Sequence, residues 1–333
     1  MVRYGVGRLP PTQPQIAVLD PLGFGLVLPF RETYFPLGFP AEIETNDERV
    51  LEAARRSFGE FSARVDGEPV RLSVTVEPGE GSLPPRVEYR GRNHLLSITC
   101  DAQNFAVADL CAGVGCAWIA GAAAANGDWL RHRFLEPLIY SALVQEKLTP
   151  VHASCVARHG RGLLLCAPPG TGKSSLAYVC AQHGWTFVTD DAAYLVNADA
   201  DNTVLGKLGS MRFKASGASL FPELSQHRSA ADVHGEPHFE IATAEHPEIA
   251  QAGECRVQHV VFLERRPGAS PQLTPIAREA ALERLSRDIP IYEARVQANH
   301  RAALQRLLRH DAFILSYSEY ITVIPLLETL VSW

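Results

Sequence analysis

The residues best equipped for chemistry lie mid-chain. Ala167-Pro168-Pro169-Gly170-Thr171-Gly172-Lys173-Ser174 follows the phosphate-loop (Walker A) pattern G-x-x-x-x-G-K-S/T with only the first glycine replaced, by Ala167. Gly170 and Gly172 supply backbone freedom where N–H groups must turn inward around phosphate oxygens, and a helix starting near Lys173 adds the positive end of its dipole. Lys173 is placed to neutralise the β and γ phosphates. Ser174 is placed to put a hydroxyl on Mg²⁺, an ion that takes few protein ligands and keeps several waters. The competing reading is a Gly-Pro connector between strand and helix. The order apolar strand, loop, Lys-Ser, apolar helix favours the nucleotide site. Its binding set is Gly170, Thr171, Gly172, Lys173, Ser174 and Ser175, with ATP and Mg²⁺ as the expected cofactors.

A second chemical cluster follows. The apolar run Trp185 to Thr189 ends in Asp190 and Asp191. Two carboxylates beside a phosphate loop can divide the work, one organising Mg²⁺ and the other accepting a proton from an attacking hydroxyl. Successive strand residues face opposite ways, so the two are expected to differ in role. A turn-forming or helix-capping Asp pair is the simpler alternative. Cations that could meet charge on a transferring phosphoryl are Arg212 and Lys214, alternating with apolar residues, and then Arg265 or Arg266 after the strand Val260 to Leu263. For all four a solvated surface is the competing expectation. His152, beside an apolar strand, fits either a site role or a structural one. His227, His234, His238 and His246 cluster in sequence, but Gly235 and Pro237 break the spacing a zinc site needs, so a substrate-facing loop is expected there.

The elements that must position these groups can be read from periodicity. Leu163 to Leu165 predicts the strand before the loop, Leu176, Ala177, Val179 and Cys180 a buried helix after it, and Gly184 its stop. Val151 to Ala157 and Gly162 to Cys166 predict a strand pair around Arg158 to Arg161. Upstream, residues 1–45 read as strands and turns, Thr45 with Glu48 as a capping box for a helix from Asp47 to Phe58, and Leu72 to Val76 as a strand. Val87 to Tyr89 and Leu95 to Cys100 read as a hairpin turning through Arg90 to Asn93, followed by an Ala-rich helical stretch and a helix from Asp128 to Gln145. Downstream, the pattern gives helices Arg278 to Ser286 and Ala298 to Arg309, a strand Phe313 to Ser316 and a helix Tyr320 to Leu330.

Composition bounds the partners. The 333 residues are 46% apolar and 20% charged, an ordinary globular balance with length for about two domains. Asp and Glu number 37 against 31 Lys and Arg, which argues against nucleic acid as the main partner. Seven cysteines without a CxxC pair read as buried thiols in a reducing compartment. The first ten residues lack an export signal, and the weakly apolar run Leu110 to Gly127 is too poor for a membrane span. A cytoplasmic protein is expected.

The run Val151-His152-Ala153-Ser154, the glycine turn, the phosphate loop, then Gly184, a short strand and Asp190-Asp191 resembles the HPr kinase/phosphorylase family, which is related in fold to ATP-dependent phosphoenolpyruvate carboxykinase. The resemblance covers about 45 residues well, from Val151 to Val196. It implies Asp191 as general base, Asp190 as its metal-linked neighbour, Lys173 and Ser174 on phosphate and Mg²⁺, and His152 near the catalytic aspartate. It also implies in-line transfer of a γ-phosphoryl group to a serine hydroxyl and, because the family forms oligomers, a homo-oligomer. Ser175 stands where true HPr kinases carry Glu, and their downstream glycine-rich signature is absent, so the resemblance is to a divergent relative with another acceptor. The expectation is an α/β fold: an N-terminal α+β module over 1–145 and a kinase domain of HPr kinase/carboxykinase type over 146–333. Its predicted activity is serine kinase toward a protein or peptide, with a small-molecule kinase (free amino acid or sugar) or a non-catalytic ATP-sensing module as alternatives.

Overall fold

The computed structural model describes residues 27–79, 83–84, 86–207, 210–214, 220–221, 229–231, 237–242, 246–290 and 293–332. The chain is mixed α/β and divides into two compact units. Unit 1 comprises Met1–Tyr34, Pro40–Ser57 and Gly67–Ile139; unit 2 comprises Phe35–Phe39, Phe58–Asp66 and Tyr140–Trp333.

Unit 1 is built on a seven-stranded sheet of β1 (Phe30–Tyr34), β2 (Ala41–Thr45), β3 (Val70–Glu77), β4 (Glu88–Arg92), β5 (Leu95–Thr99), β6 (Phe105–Asp109) and β7 (Val114–Ala120). The spatial order is β1-β2-β3-β7-β6-β5-β4. β2, β3 and β7 run parallel, and the rest is an antiparallel meander. Parallel neighbours need a crossover, and the helix Glu48–Phe58 supplies it between β2 and β3. Its start differs from the expected capping box. Asp47 caps the helix, its Oδ1 accepting the Arg49 N–H at 3.0 Å, while Thr45 Oγ1 accepts from the Asp47 N–H at 3.2 Å. The hairpin also turns later than predicted, at Asn93 with φ 55°, and Gly91 pairs inside the ladder opposite Leu96. The stretch expected to be helical contains β7, because Val114 to Ala120 alternates in burial as a strand does; only Gly121–Ala124 is helical there.

Unit 2 holds the predicted chemistry. Its main sheet contains β8 (Leu148–Arg158), β9 (Arg161–Cys166), β10 (Thr186–Thr189), β11 (Ala192–Val196), β12 (Thr203–Gly206), β16 (Glu254–Arg265), β17 (Gln272–Pro275) and β18 (Ala312–Tyr317). The intervening β13 (Ser210–Lys214), β14 (Ser229–Ala231) and β15 (Pro237–Ala242) form a small antiparallel sheet in the order β13-β15-β14. β9 pairs antiparallel with β8 and parallel with β16, and it is covered on both faces. Leu163 and Leu165 enter a cluster with the helix Lys173–Gln182 through Leu176, Ala177 and Cys180. Leu164 faces the other way, toward Leu282 and Leu285 of the helix Arg278–Ser286 and Leu304 and Leu307 of the helix Ala294–Leu307. Such two-sided burial is why Leu163 to Leu165 is a continuous apolar run instead of an alternating one.

Several expectations shift in unit 2. The penultimate helix starts earlier, at Ala294, and the last element opens as a 3-10 turn, Tyr320–Val323, before the helix Ile324–Thr329. His238 lies in β15, not in a loop, while His227 and His234 fall outside the described residues. All seven cysteines are free, but Cys111 is exposed and Cys100, Cys116 and Cys255 only partly buried, so the expectation of uniformly buried thiols holds for Cys155, Cys166 and Cys180. No helix among the described residues is long and apolar enough to cross a membrane.

Candidate functional site

The glycine turn leaves the carboxyl end of β9, where ligand sites of α/β sheets tend to gather. Cys166 closes the strand, and Gly172 (φ +100°) in the left-handed region starts the helix Lys173–Gln182. Gly170 has φ +81° with open space where a Cβ would project. Gly172 is hemmed in: a Cβ there would collide with the Tyr320 Oη and come within 3.1 Å of its Cζ. Both positions require glycine, Gly172 for space as well as dihedral.

The Asp pair is positioned by an interruption in a strand. β10 and β11 both run antiparallel to the same stretch of chain, β10 opposite Cys155 to Ala157 and β11 opposite Leu148 to His152. Asp190 and Asp191 are the break between them, opposite Ala153 and Ser154. The register itself slips just before the pair, between Phe187 and Thr189, where a bulge bends the end of β10. Ser154, fully buried, donates its hydroxyl to the Asp190 carbonyl, and Thr189 Oγ1 donates to the Ala192 carbonyl at 3.0 Å. These two hydroxyls satisfy carbonyls that the broken ladder leaves over. Gly206 on β12 completes the arrangement, since a Cβ there would collide with the Val188 carbonyl.

The side chains divide as strand alternation anticipates. Asp190 is 8% exposed, whereas the Asp191 side chain is 65% exposed. The Asp190 Oδ2 accepts the backbone N–H of Arg212 from β13. Burial pushes its carboxyl up to about 6, against the opposing pull of that N–H and of the Arg212 charge; the neighbouring Asp191 pushes the same way as burial.

Lys173, His152 and Asp191 form a continuous chain. Lys173 Nζ lies 2.9 Å from His152 Nε2 and donates to the Ala167 carbonyl at 2.8 Å. His152 Nδ1 lies 3.3 Å from Asp191 Oδ1. An ammonium has no acceptor, so His152 Nε2 must accept from Lys173, which places the ring proton on Nδ1, facing Asp191. Burial lowers the Lys173 pKa, opposed by the charges of Asp191, Cys166, Asp288 and Asp190. Three carboxylates thus act on one buried lysine. Their combined field disfavours a bare polyphosphate and suits one that arrives with a divalent cation.

The oxygen donors match that requirement. Ser174 is half-buried at the first turn of the helix, its Oγ 3.4 Å from the Asp190 carbonyl. The Asp190 carboxylate, held in a buried position at an electrostatic cost, is the kind of hard ligand Mg²⁺ relieves. The structure therefore brings together Gly170, Thr171, Gly172, Lys173, Ser174, His152, Asp190, Asp191 and the backbone of Arg212. Ser175 is buried within the helix at 6% exposure. Arg266 pairs with Glu264 at 2.5 Å, in solvent. The Lys214 side chain lies outside the described residues. His246 pairs with Glu248 at 2.8 Å. A polar cleft of about 500 Å³ lined by Arg64, Gly160, Asp199, Asp201, Thr203, Glu254, Cys255 and Arg256 opens instead at the amino end of β9.

Sequence reasoning gave no role to Ser154, Asp288 or Tyr320. Ser154 acts across a strand pair, while Asp288 and Tyr320 come from distant segments, and a Ser, an Asp and a Tyr in such contexts carry no local mark.

No family model matches the chain, and no curated protein matches it. Among solved structures it is similar to the Hpr(Ser) kinase/phosphatase from Coxiella burnetii, with a TM-score of 0.30 and 14% identity, covering 55% of this chain and 94% of that one. A likeness so slight supports no functional assignment, and the geometry of the site bears that weight instead.

Proposed function

We propose that unit 2 is an ATP- and Mg²⁺-dependent kinase that transfers the γ-phosphoryl group to a hydroxyl, with the serine of a protein or peptide as the acceptor that the sequence resemblance favours. The observation that carries this reading is the chain Lys173–His152–Asp191 beside a glycine turn, with contacts of 2.9 and 3.3 Å. It joins a group suited to phosphate with an exposed carboxylate suited to accept a proton.

The protein's share of phosphoryl transfer is positioning and charge stabilisation, since little covalent chemistry is required of it. The turn amides and Lys173 hold the phosphates. Ser174 and Asp190 are the residues that would hold Mg²⁺, which when bound supplies charge neutralisation across the phosphate oxygens. Asp191, open to solvent, accepts the proton of the incoming hydroxyl, and the His152 Nδ1–H keeps its carboxylate oriented. Lys173 spends two of its three N–H donors on Ala167 and His152, which leaves one for phosphate.

The test is γ-labelled ATP added to lysate with the intact chain or with Asp191→Asn. General-base loss is worth roughly 10²–10⁴-fold in rate, so label transfer should collapse in the variant while ATP binding persists. A labelled metabolite in place of a labelled protein or peptide would move the acceptor to a small molecule. Binding without any labelled species would leave an ATP-sensing module.

A further inference from the structure

We propose that Arg265, seated on Tyr320, is the cation that meets the terminal phosphate of a nucleotide held by the glycine turn; the inference rests on the kinase reading above. Four observations converge on it.

The first is topological. β9 and β16 run parallel, with Cys166 opposite Phe262. β9 ends there and becomes the glycine turn, whereas β16 continues to Arg265, its last residue. Arg265, paired there with Tyr317 of β18, is thus carried past the end of β9, where the turn begins.

The second is contact. Tyr320 packs so closely on Gly172 that no side chain fits between them. The same Tyr320 Oη accepts from Arg265 Nη1 at 3.2 Å, and the Arg265 Cζ lies 4.6 Å from the centre of the Tyr320 ring. A single buried phenol therefore spaces the cation from the turn.

The third is orientation. Arg265 Nε also donates to the Ser318 carbonyl at 3.0 Å. Two hydrogen bonds and a stacked ring fix the plane of the guanidinium before any ligand arrives. A free arginine surrenders rotamer entropy on being ordered, and here much of that ordering belongs to the fold. Among the described residues, the hydrogen bonds of this guanidinium engage Nε and Nη1 and leave Nη2 for a ligand.

The fourth is exposure. Among the described residues, Arg266 is paired with Glu264, and Lys173 is 6% exposed at the root of the turn. Arg265 is exposed and stands at the rim. A forked donor at that place matches the paired oxygens of a terminal phosphate better than an ammonium would.

The experiment is a calorimetric titration of ATP and of ADP, each with Mg²⁺, into the full chain and into Arg265→Gln, Arg265→Lys and Tyr320→Phe, with melting temperatures recorded for all four proteins. Arg265→Gln should lose roughly tenfold in ATP affinity while ADP affinity stays within about twofold, the size expected for one charge-assisted contact to the terminal phosphate. Arg265→Lys should lose less, and Tyr320→Phe, which keeps the ring but removes the acceptor, should shift in the same direction. If the unaltered protein binds both nucleotides and Arg265→Gln leaves their affinity ratio unchanged, Arg265 does not meet the terminal phosphate and the kinase reading stands. An equal loss for ATP and ADP with a lowered melting temperature would make Arg265 a clamp for Tyr320 and overturn the inference likewise. Failure of the unaltered protein to bind either nucleotide would remove the reading of the turn, and this inference with it.

Discussion

Replacing Asp190 with Asn should make the ligand-free protein more stable at neutral pH. Asp190 is 8% exposed, and burial raises its carboxyl from 3.8 to about 6. A folded-state pKa above the unfolded one means that the folded state holds its proton more tightly. At a pH below both values the group is protonated in both states and costs nothing. As pH rises through the window from 3.8 to about 6 the cost grows, and above that it is fully present. A shift of about two units corresponds to ~3 kcal/mol, an upper figure for what the uncharged isostere recovers. Asn keeps the shape and an oxygen for the Arg212 N–H. Its amide needs an acceptor of its own, which reduces the gain if none is within reach. Urea unfolding of the intact chain and of Asp190→Asn across pH 4 to 8 should give stability curves that lie closest at the acid end and separate progressively toward neutrality, with the variant higher. The same variant should lose any gain in melting temperature that Mg²⁺ gives the intact protein. A variant that is less stable at neutral pH, or displaced by the same amount at every pH, would refute the argument that this carboxylate is held ionised against its burial.

Three further outcomes stem from the packing around the turn and the strand break. Gly172→Ala places a Cβ against Tyr320 from a residue at φ +100° and should cost roughly 1–3 kcal/mol in urea unfolding, together with nucleotide affinity. Ser154→Ala removes the hydroxyl that satisfies the Asp190 carbonyl and should cost about 1–3 kcal/mol by the same measurement; label transfer should fall more than ATP affinity, because the Asp pair rests on that contact. Gly206→Val drives a side chain into the Val188 backbone and should destabilise by at least ~3 kcal/mol, read as a fall in the urea midpoint; a neutral result would mean that β10 and β12 are not packed as described.

How far the sequence disclosed this arrangement depends on the range of the interaction concerned. The turn and its flanking strand and helix were legible because their signals are local: three consecutive leucines buried on both faces of β9, two glycines at left-handed dihedrals, and Gly184 (φ +80°) after the helix. The opposed environments of Asp190 and Asp191 followed from strand alternation. The Ala-rich segment before Gly121 misled because small residues serve a helix and a close-packed strand equally, and pairing of β7 with both β3 and β6 decides for the strand. Tyr320 meets the glycine turn through a contact far apart in sequence, and nothing in its vicinity marks it. Arg265 was one of two arginines offered at the end of β16, and its contact with Tyr320, against the pairing of Arg266 with Glu264, tells them apart only once the chain is folded.

The central claim is that the turn at Gly170 to Ser174 holds a triphosphate through Lys173. Its most direct test is a titration of ATP with Mg²⁺ into the intact chain and into Lys173→Ala, with melting temperatures confirming that both are folded. Saturable binding by the intact chain that weakens by at least roughly tenfold in the variant is the predicted result. A folded intact chain that binds no ATP, or equal affinity in both proteins, would contradict it.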